Sequence, residues 1–431
     1  MNFFDKIEKF LAGPMSKVAN QPHMKAIRNG MASVIPLTII GSLFLIIAFP
    51  PVPQSWKESI EVFKWISQNT NTILLPFRLT MGLLTVFAIY NTGYNLAKYY
   101  KLDGVSGGTL SLVGFFLTII PKVAQTVGDN PEKLGFVLPM QYLGAQGLFG
   151  GFIVAIFSVE TLKFFMKKDL VIKMPEGVPD AISKSFLALF PTLAVVFIIS
   201  TITIFLKIDI HGIVYKIFQP LGIFLNGPFG AVLVVFFICL LWSAGLHGDS
   251  IMGPLVRPLW LELLDQNARA MADGAVILPN IAPEPFYHWF VWIGGSGCTM
   301  GLVFLMLFRA KSSHLKAIGK TALIPSIFNI NEPVIFGAPI MLNPYLVIPF
   351  ILGPITITIT TYIAMHMNWV SRPAILVPWT FPAPIGAFLS TNGDIRALLL
   401  CVLNIFIVGL IFYPFFNAYD KKLLKEELGE I

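Results

Sequence analysis

Glu332 is the single carboxylate in FNINEPVIFGAPIMLNP, Phe328 to Pro344, inside an apolar part of the chain. The same stretch carries three asparagines and prolines at 333, 339 and 344. An ionisable residue in an apolar segment points to function by default. Pro333, directly after Glu332, disfavours helical geometry at the acid. That frees backbone groups for a hydroxyl-rich ligand. The competing reading is a structural carboxylate paired with a buried Arg or His.

His247, in LLWSAGLHGDS, ends an apolar run between Gly245 and Gly248. It could donate to a hydroxyl or to a phosphate, or simply sit at a helix end. Asp249 reads as a cap for the helix opening at Ser250. Trp242 precedes His247 by five residues, and Trp379 lies between Pro378 and Thr380. A flat indole with one N–H donor suits the C–H face of a sugar ring, though tryptophan is also common at membrane interfaces. Glu284 and His288 are four apart, a helix-face pair with no third ligand in view. Arg78 and Glu160 read as polar contacts within a scaffold. QYLGAQGLFGG, Gln141 to Gly151, matches no phosphate-loop pattern. It is a flexible connection or a second wall of a ligand cavity.

The setting for these residues is a membrane. Hydrophobic residues are 55% of the 431 and charged residues 12%, about half the share in a soluble domain. With a mean hydropathy of +0.75, this composition excludes a soluble protein with a large core. The net charge of +7 points to Lys- and Arg-rich loops rather than to nucleic acid. Cys239, Cys298 and Cys401 are far apart and read as buried thiols. Met1 to Asn29 is polar and amphipathic, without the short apolar core of a cleavable signal.

A span needs about 20 apolar residues. Candidates are Met31–Phe49, Ile73–Leu96, Val105–Val123, Gly147–Met166, Ala181–Leu206, Gly230–Leu246, Pro285–Phe308, Tyr345–Met365 and Ile395–Tyr413. Apolar regions around Ile251–Leu264 and Leu323–Leu342 are short or interrupted, and Ala374–Leu389 is proline-rich. The expected fold is an all-α polytopic membrane protein, with about ten transmembrane helices plus re-entrant and amphipathic pieces. Basic clusters such as Lys6, Lys9, Lys17, Lys25 and Arg28 at the start, and Lys421, Lys422 and Lys425 at the end, put both termini inside the cell.

The two halves differ in texture. Up to about Leu206 the spans are long and regular. Beyond it prolines crowd into apolar runs, as in MGPLVRPLW and VPWTFPAPIGAF. Irregular backbone at membrane depth persists only when buried in protein or lining a wet cavity. Residues 1–207 are therefore expected to be scaffold, and 208–431 to hold something polar.

NEPVIFGAPIMLNP, with LHGD upstream, GGSG at Gly294–Gly297 and a C-terminal proline–tryptophan segment, resembles the EIIC component of the bacterial sugar phosphotransferase system, in its lactose/cellobiose/diacetylchitobiose class. The resemblance covers essentially the whole chain. It implies a permease of the cytoplasmic membrane that binds a disaccharide and presents its 6-hydroxyl to a phosphocysteine on a separate EIIB, itself charged by EIIA. It implies a homodimer joined through the N-terminal half, and two re-entrant hairpins in the C-terminal half. Glu332 would lie beside the reacting hydroxyl and His247 near the phosphate. Asn331, Trp242 and Trp379 would touch the sugar, and Gln141 is the candidate contact from the first half. No cofactor or metal is expected. The ending AYDKKLLKEELGEI, and the lack of a serine/threonine tail in GCTMG at Cys298, set the phosphate donor on another polypeptide. The competing function is an ion-coupled secondary sugar transporter, cycling protons on Glu332 and His247.

Overall fold

The computed structural model describes residues 20–126, 133–175, 177–341 and 343–429. Lys6, Lys9 and Lys17 lie outside them. The described chain is helical apart from one antiparallel hairpin, in which Lys122–Gln125 pairs with Lys133–Val137. Six helices are long and apolar enough to cross a bilayer: Pro22–Ala48, Thr70–Tyr99, Ala145–Lys167, Ile182–Phe205, Pro344–His366 and Ile395–Glu427. A seventh crossing is available if Ile210–Asn226 and Pro228–Ser243, bent by 84°, act as one. The expected span Val105–Val123 is a shorter helix, Gly104–Leu117, followed by the hairpin. The expected span Pro285–Phe308 is two short helices around a glycine loop, Glu284–Phe290 and Met300–Phe308. At 1.5 Å per residue, neither reaches half the roughly 30 Å hydrocarbon core.

The chain folds as two compact units. One gathers residues 20–41 and 76–220, the other 42–75 and 221–429. The segment 42–75, first-half by sequence position, thus belongs with the C-terminal residues.

In the first unit, Gln21 caps the Pro22–Ser33 helix by accepting from the Met24 N–H at 2.9 Å, with Pro22 preset for the first turn. Asp103 caps Gly104–Leu117 through the Ser106 N–H at 2.7 Å. The helices Leu84–Tyr99 and Gly104–Leu117 meet backbone to backbone. A Cβ on Gly93 would lie 2.6 Å from the Gly107 carbonyl oxygen, so only small residues fit there. Glu160 is a scaffold contact, as the sequence suggests: it accepts from Tyr100, pairs with Lys163 at 3.0 Å and meets His23 at 2.9 Å.

In the second unit, Pro344–His366 packs along Ile395–Glu427. Asn404, fully buried, donates to the Phe290 carbonyl at 3.0 Å and to Thr361 Oγ1 at 2.9 Å, tying the short Glu284–Phe290 helix to both long ones. Two acids of the last helix cap the start of Ser313–Ile327. Asp420 accepts from the Lys311 and Ser312 N–H groups, and Glu427 from those of Ser313 and His314. That capped helix leads directly into the Asn331–Glu332–Pro333 turn. Glu284, read from sequence as the partner of His288, lies 3.9 Å from it and closer, at 2.9 Å, to Arg257. Arg257 lies one helix upstream, out of reach of an i,i+4 argument.

Candidate functional site

The three prolines of the motif act as punctuation. Pro333 sits in the first turn of a six-residue helix, Glu332–Gly337, with Asn331 as its N-cap residue. Glu332 is thus the first helical residue rather than being expelled from the helix, because a proline at the first turn lacks only an N–H that would be unpaired anyway. Pro339 follows the helix end, and Pro344 opens the next helix, where Asn343 caps the Tyr345 N–H at 3.0 Å.

This turn is pinned to the glycine loop after Val291. Asn331, buried, donates its Nδ2 to the Ser296 carbonyl. Asn329, held at φ 61°, accepts from the Gly294 N–H at 3.0 Å and donates to the carbonyls of Trp379 and Phe381 at 2.8 and 2.9 Å. One side chain therefore fixes three segments. The glycine loop follows a path that L side chains rarely adopt, with φ of 77°, 101° and 87° at Gly294, Gly295 and Gly297. A side chain at Gly297 would also collide with the Phe350 ring.

On the facing side, His247 rather than Asp249 caps the Gly248–Ala272 helix. Its Nδ1 accepts from the Ser250 N–H at 3.2 Å. An accepting Nδ1 keeps the proton of the neutral ring on Nε2, which then serves as a donor. The rings of His247 and Trp242 lie 4.4 Å apart. Asp249 is occupied elsewhere, accepting from Ser296 Oγ at 2.7 Å and from Trp242 Nε1 at 3.4 Å.

These groups surround a cavity of about 290 Å³, near the lower end of small-molecule sites. Trp242, His247, Asn331, Glu332 and Trp379 all line it. Among the described residues Glu332 has no ion-pair or hydrogen-bond partner, so the reading as a structural carboxylate salted to a buried Arg or His does not describe it. Trp379 is 47% exposed and available as a face. Asn331 keeps its Oδ1 and the second N–H of Nδ2 for a ligand. Gln141 is not part of this lining. It borders a different cavity, of about 400 Å³, with Tyr142, Asp209 and Gln219 in the other unit. Its place in a glycine-rich segment carried no information about which cavity it borders.

The lining also includes residues that sequence reasoning did not select, namely Asp249, His288, Trp292, Ser296 and Asn329. A signal existed for Asn329, one of the three motif asparagines, and for the pair FYHWFVWIGGSG, which puts His288 and Trp292 just before the glycines.

Residues 28–354 match the family model for the phosphotransferase system, EIIC. The chain belongs to the EIIC family. This EIIC chain is 38% identical over 440 residues to the cellobiose-specific EIIC component of Geobacillus stearothermophilus, covering 99% of this chain and 96% of that protein. It is 36% identical over 431 residues to the oligo-beta-mannoside-specific EIIC component of Bacillus subtilis (strain 168), covering 98% and 96%. Its fold matches the crystal structure of the transporter ChbC, the IIC component of the N,N'-diacetylchitobiose-specific phosphotransferase system. There the TM-score is 0.91, the identity 37%, and the coverage 98% of this chain and 99% of that one. The chain is a multi-pass membrane protein of this family.

Proposed function

We propose that this EIIC chain binds a cellobiose- or diacetylchitobiose-like disaccharide in the cavity between Glu332 and His247, carries it across the membrane and offers its 6-hydroxyl to phospho-EIIB. The observation that carries the reading is the partnerless Glu332 carboxylate in one cavity with three indoles and the His247 donor. Indole faces accept the apolar side of a pyranose, and side-chain amides and backbone carbonyls take its hydroxyls. The relatives' sugars set the substrate class.

The transfer then follows. Glu332 accepts the proton of the 6-hydroxyl as its oxygen attacks phosphorus on the EIIB phosphocysteine. The S–P bond breaks, the thiolate stays on EIIB and the phosphoryl group leaves on the sugar. His247 Nε2–H donates to a phosphoryl oxygen. Positioning and charge stabilisation are the main requirements of such a step. Asp249, through Trp242 and Ser296, holds the ring and the loop in place.

EIIA upstream recharges EIIB. Both termini face the cytoplasm, in line with Lys421, Lys422 and Lys425 at the end of the last span. The homodimer forms through residues 1–207. Its support is the Ile182–Phe205 span, where only 22% of the apolar window is buried against 50% in Pro344–His366, leaving a long face for a second copy. Uptake of labelled cellobiose into vesicles, with and without phospho-EIIB, tests the function. Uptake as phosphosugar only with phospho-EIIB is expected. Concentrative uptake of free sugar driven by an ion gradient alone would replace the reading with the secondary transporter.

A further inference from the structure

We propose that the second unit carries another sugar site, at the end of the Ile395–Glu427 helix far from its lysines, where a hydroxyl-rich disaccharide is held before it reaches the central cavity. A cavity of about 600 Å³ lies there, roughly twice the volume of the central one. It is lined by residues just past the end of the Pro344–His366 helix and just before and at the start of Ile395–Glu427, among them Asn368, Arg372, Asn392, Asp394 and Arg396. The two helices are antiparallel, since the tilted rings of Tyr345 and Tyr419 meet with centroids 5.9 Å apart at their other ends. Ile395–Glu427 has 33 residues, about 50 Å of helix. The cavity therefore opens on the face opposite Lys421, Lys422 and Lys425.

Its polar lining fits a hydroxyl-rich ligand. Arg396 places both Nε and Nη2 on Asp394, at 2.8 and 2.9 Å, which cancels one charge pair. Arg372 spends Nη1 on the carbonyls of Leu278 and Pro279, and its Nε has no partner. Asn392 Oδ1, also buried, lacks a donor. Arg372 Nε and Asn392 Oδ1 are thus an unfilled donor and an unfilled acceptor on two residues of the lining, and a sugar hydroxyl, donor and acceptor at once, can satisfy either kind of group. Among the described residues no aromatic ring lines the cavity, so the sugar is held by hydrogen bonds without a stacking platform, and more weakly than at the centre.

The two cavities share a segment. Val370 to Ala374 borders the outer one, and the same non-helical run continues to Trp379 in the central one. It is anchored along its length. Asn267 donates to the Pro373 carbonyl at 2.8 Å, and the Ala374 and Leu376 N–H groups donate to Ser390 O and Ser42 Oγ.

The inference rests on the sugar reading above, and its test separates the two. Val276 lines the outer cavity and is 97% exposed, so Val276→Cys leaves the fold intact. Cys239, Cys298 and Cys401 are buried, so a thiol reagent reports on position 276. Maleimide labelling of purified Val276→Cys protein is followed with cellobiose, N,N'-diacetylchitobiose or inorganic phosphate, with central binding measured by calorimetry on the same preparation. We expect protection by a disaccharide, retained when Trp379→Ala is added. Arg372→Met should raise the protecting concentration about 10- to 100-fold, the scale of a hydrogen bond to a charged donor, while central binding stays. Sugar binding by calorimetry without any protection would overturn the outer site and leave the function standing. Protection by phosphate alone would overturn it in favour of an anion site. Protection that disappears with Trp379→Ala would assign it to the central cavity. No sugar binding by either measurement would overturn the function reading as well.

Discussion

Replacing Asn329 by alanine should weaken sugar binding although the side chain need not touch the sugar. Its amide makes three bonds, one from the Gly294 N–H and two to the Trp379 and Phe381 carbonyls. Each is worth about 0.5–1.5 kcal/mol net, and the two carbonyl bonds are solvent-exposed, which favours the low end. Their sum is roughly 1.5–2.5 kcal/mol. The backbone at φ 61° adds about 1 kcal/mol for a residue with a Cβ and no local polar group. Asn329→Ala should therefore cost about 3 kcal/mol, divided between the fold and the placement of Trp379. An affinity loss of at least tenfold, about 1.4 kcal/mol, is expected. Asn329→Gly relieves the backbone but not the bonds, and should recover only part of the melting temperature and little of the affinity. Asn329→Asp keeps the acceptor for Gly294 but sets an anion against two carbonyls, and should bind sugar worse than Asn329→Gly. Calorimetry and thermal unfolding in detergent supply both numbers. Parent affinity and parent melting temperature in Asn329→Ala would refute the reasoning.

Trp379→Ala should weaken disaccharide binding by about 1–3 kcal/mol, measured by calorimetry on folded protein, with unchanged affinity ruling out the indole platform. His247→Ala should slow phosphoryl transfer and lower the melting temperature by the worth of a cap, about 1 kcal/mol, whereas His247→Asn should restore the melting temperature but not the rate. Burial raises the Asp394 pKa, but the Arg396 guanidinium and the Ser371 group lower it more, so the carboxyl titrates below its ordinary range. A depressed carboxylate contributes stability that is present above its unfolded value and lost as pH falls through the folded one. The melting temperature should therefore drop below about pH 4, and Asp394→Asn should flatten that acid limb.

The polar residues of the cavity were legible because the surrounding sequence is apolar. Glu332, His247, Trp242, Trp379 and Asn331 stand out against it, and all five line one cavity. Their partners were less visible. Asp249 reads as a cap by position alone, yet His247 caps that helix and Asp249 turns to Ser296, 47 residues away. The span expected over Pro285–Phe308 was broken by a feature hydropathy cannot register, the sign of φ at three glycines and at Cys298. The grouping of 42–75 with the C-terminal unit depends on contacts distant in sequence, such as Ser42 with Leu376, that no local pattern encodes. Gln141 is the first-half contact that the resemblance implies, and its glycine-rich segment does not say which cavity it borders.

The central claim is that Glu332 takes the proton from the hydroxyl that receives phosphate. It is tested most directly by measuring sugar affinity and the rate of phosphoryl transfer from phospho-EIIB in one preparation of Glu332→Gln. The amide keeps size and polarity but cannot take a proton. The account predicts that binding survives with a modest loss, as a charge-assisted hydrogen bond becomes neutral, while transfer falls about 10²–10⁴-fold. Transfer at the parent rate would contradict it.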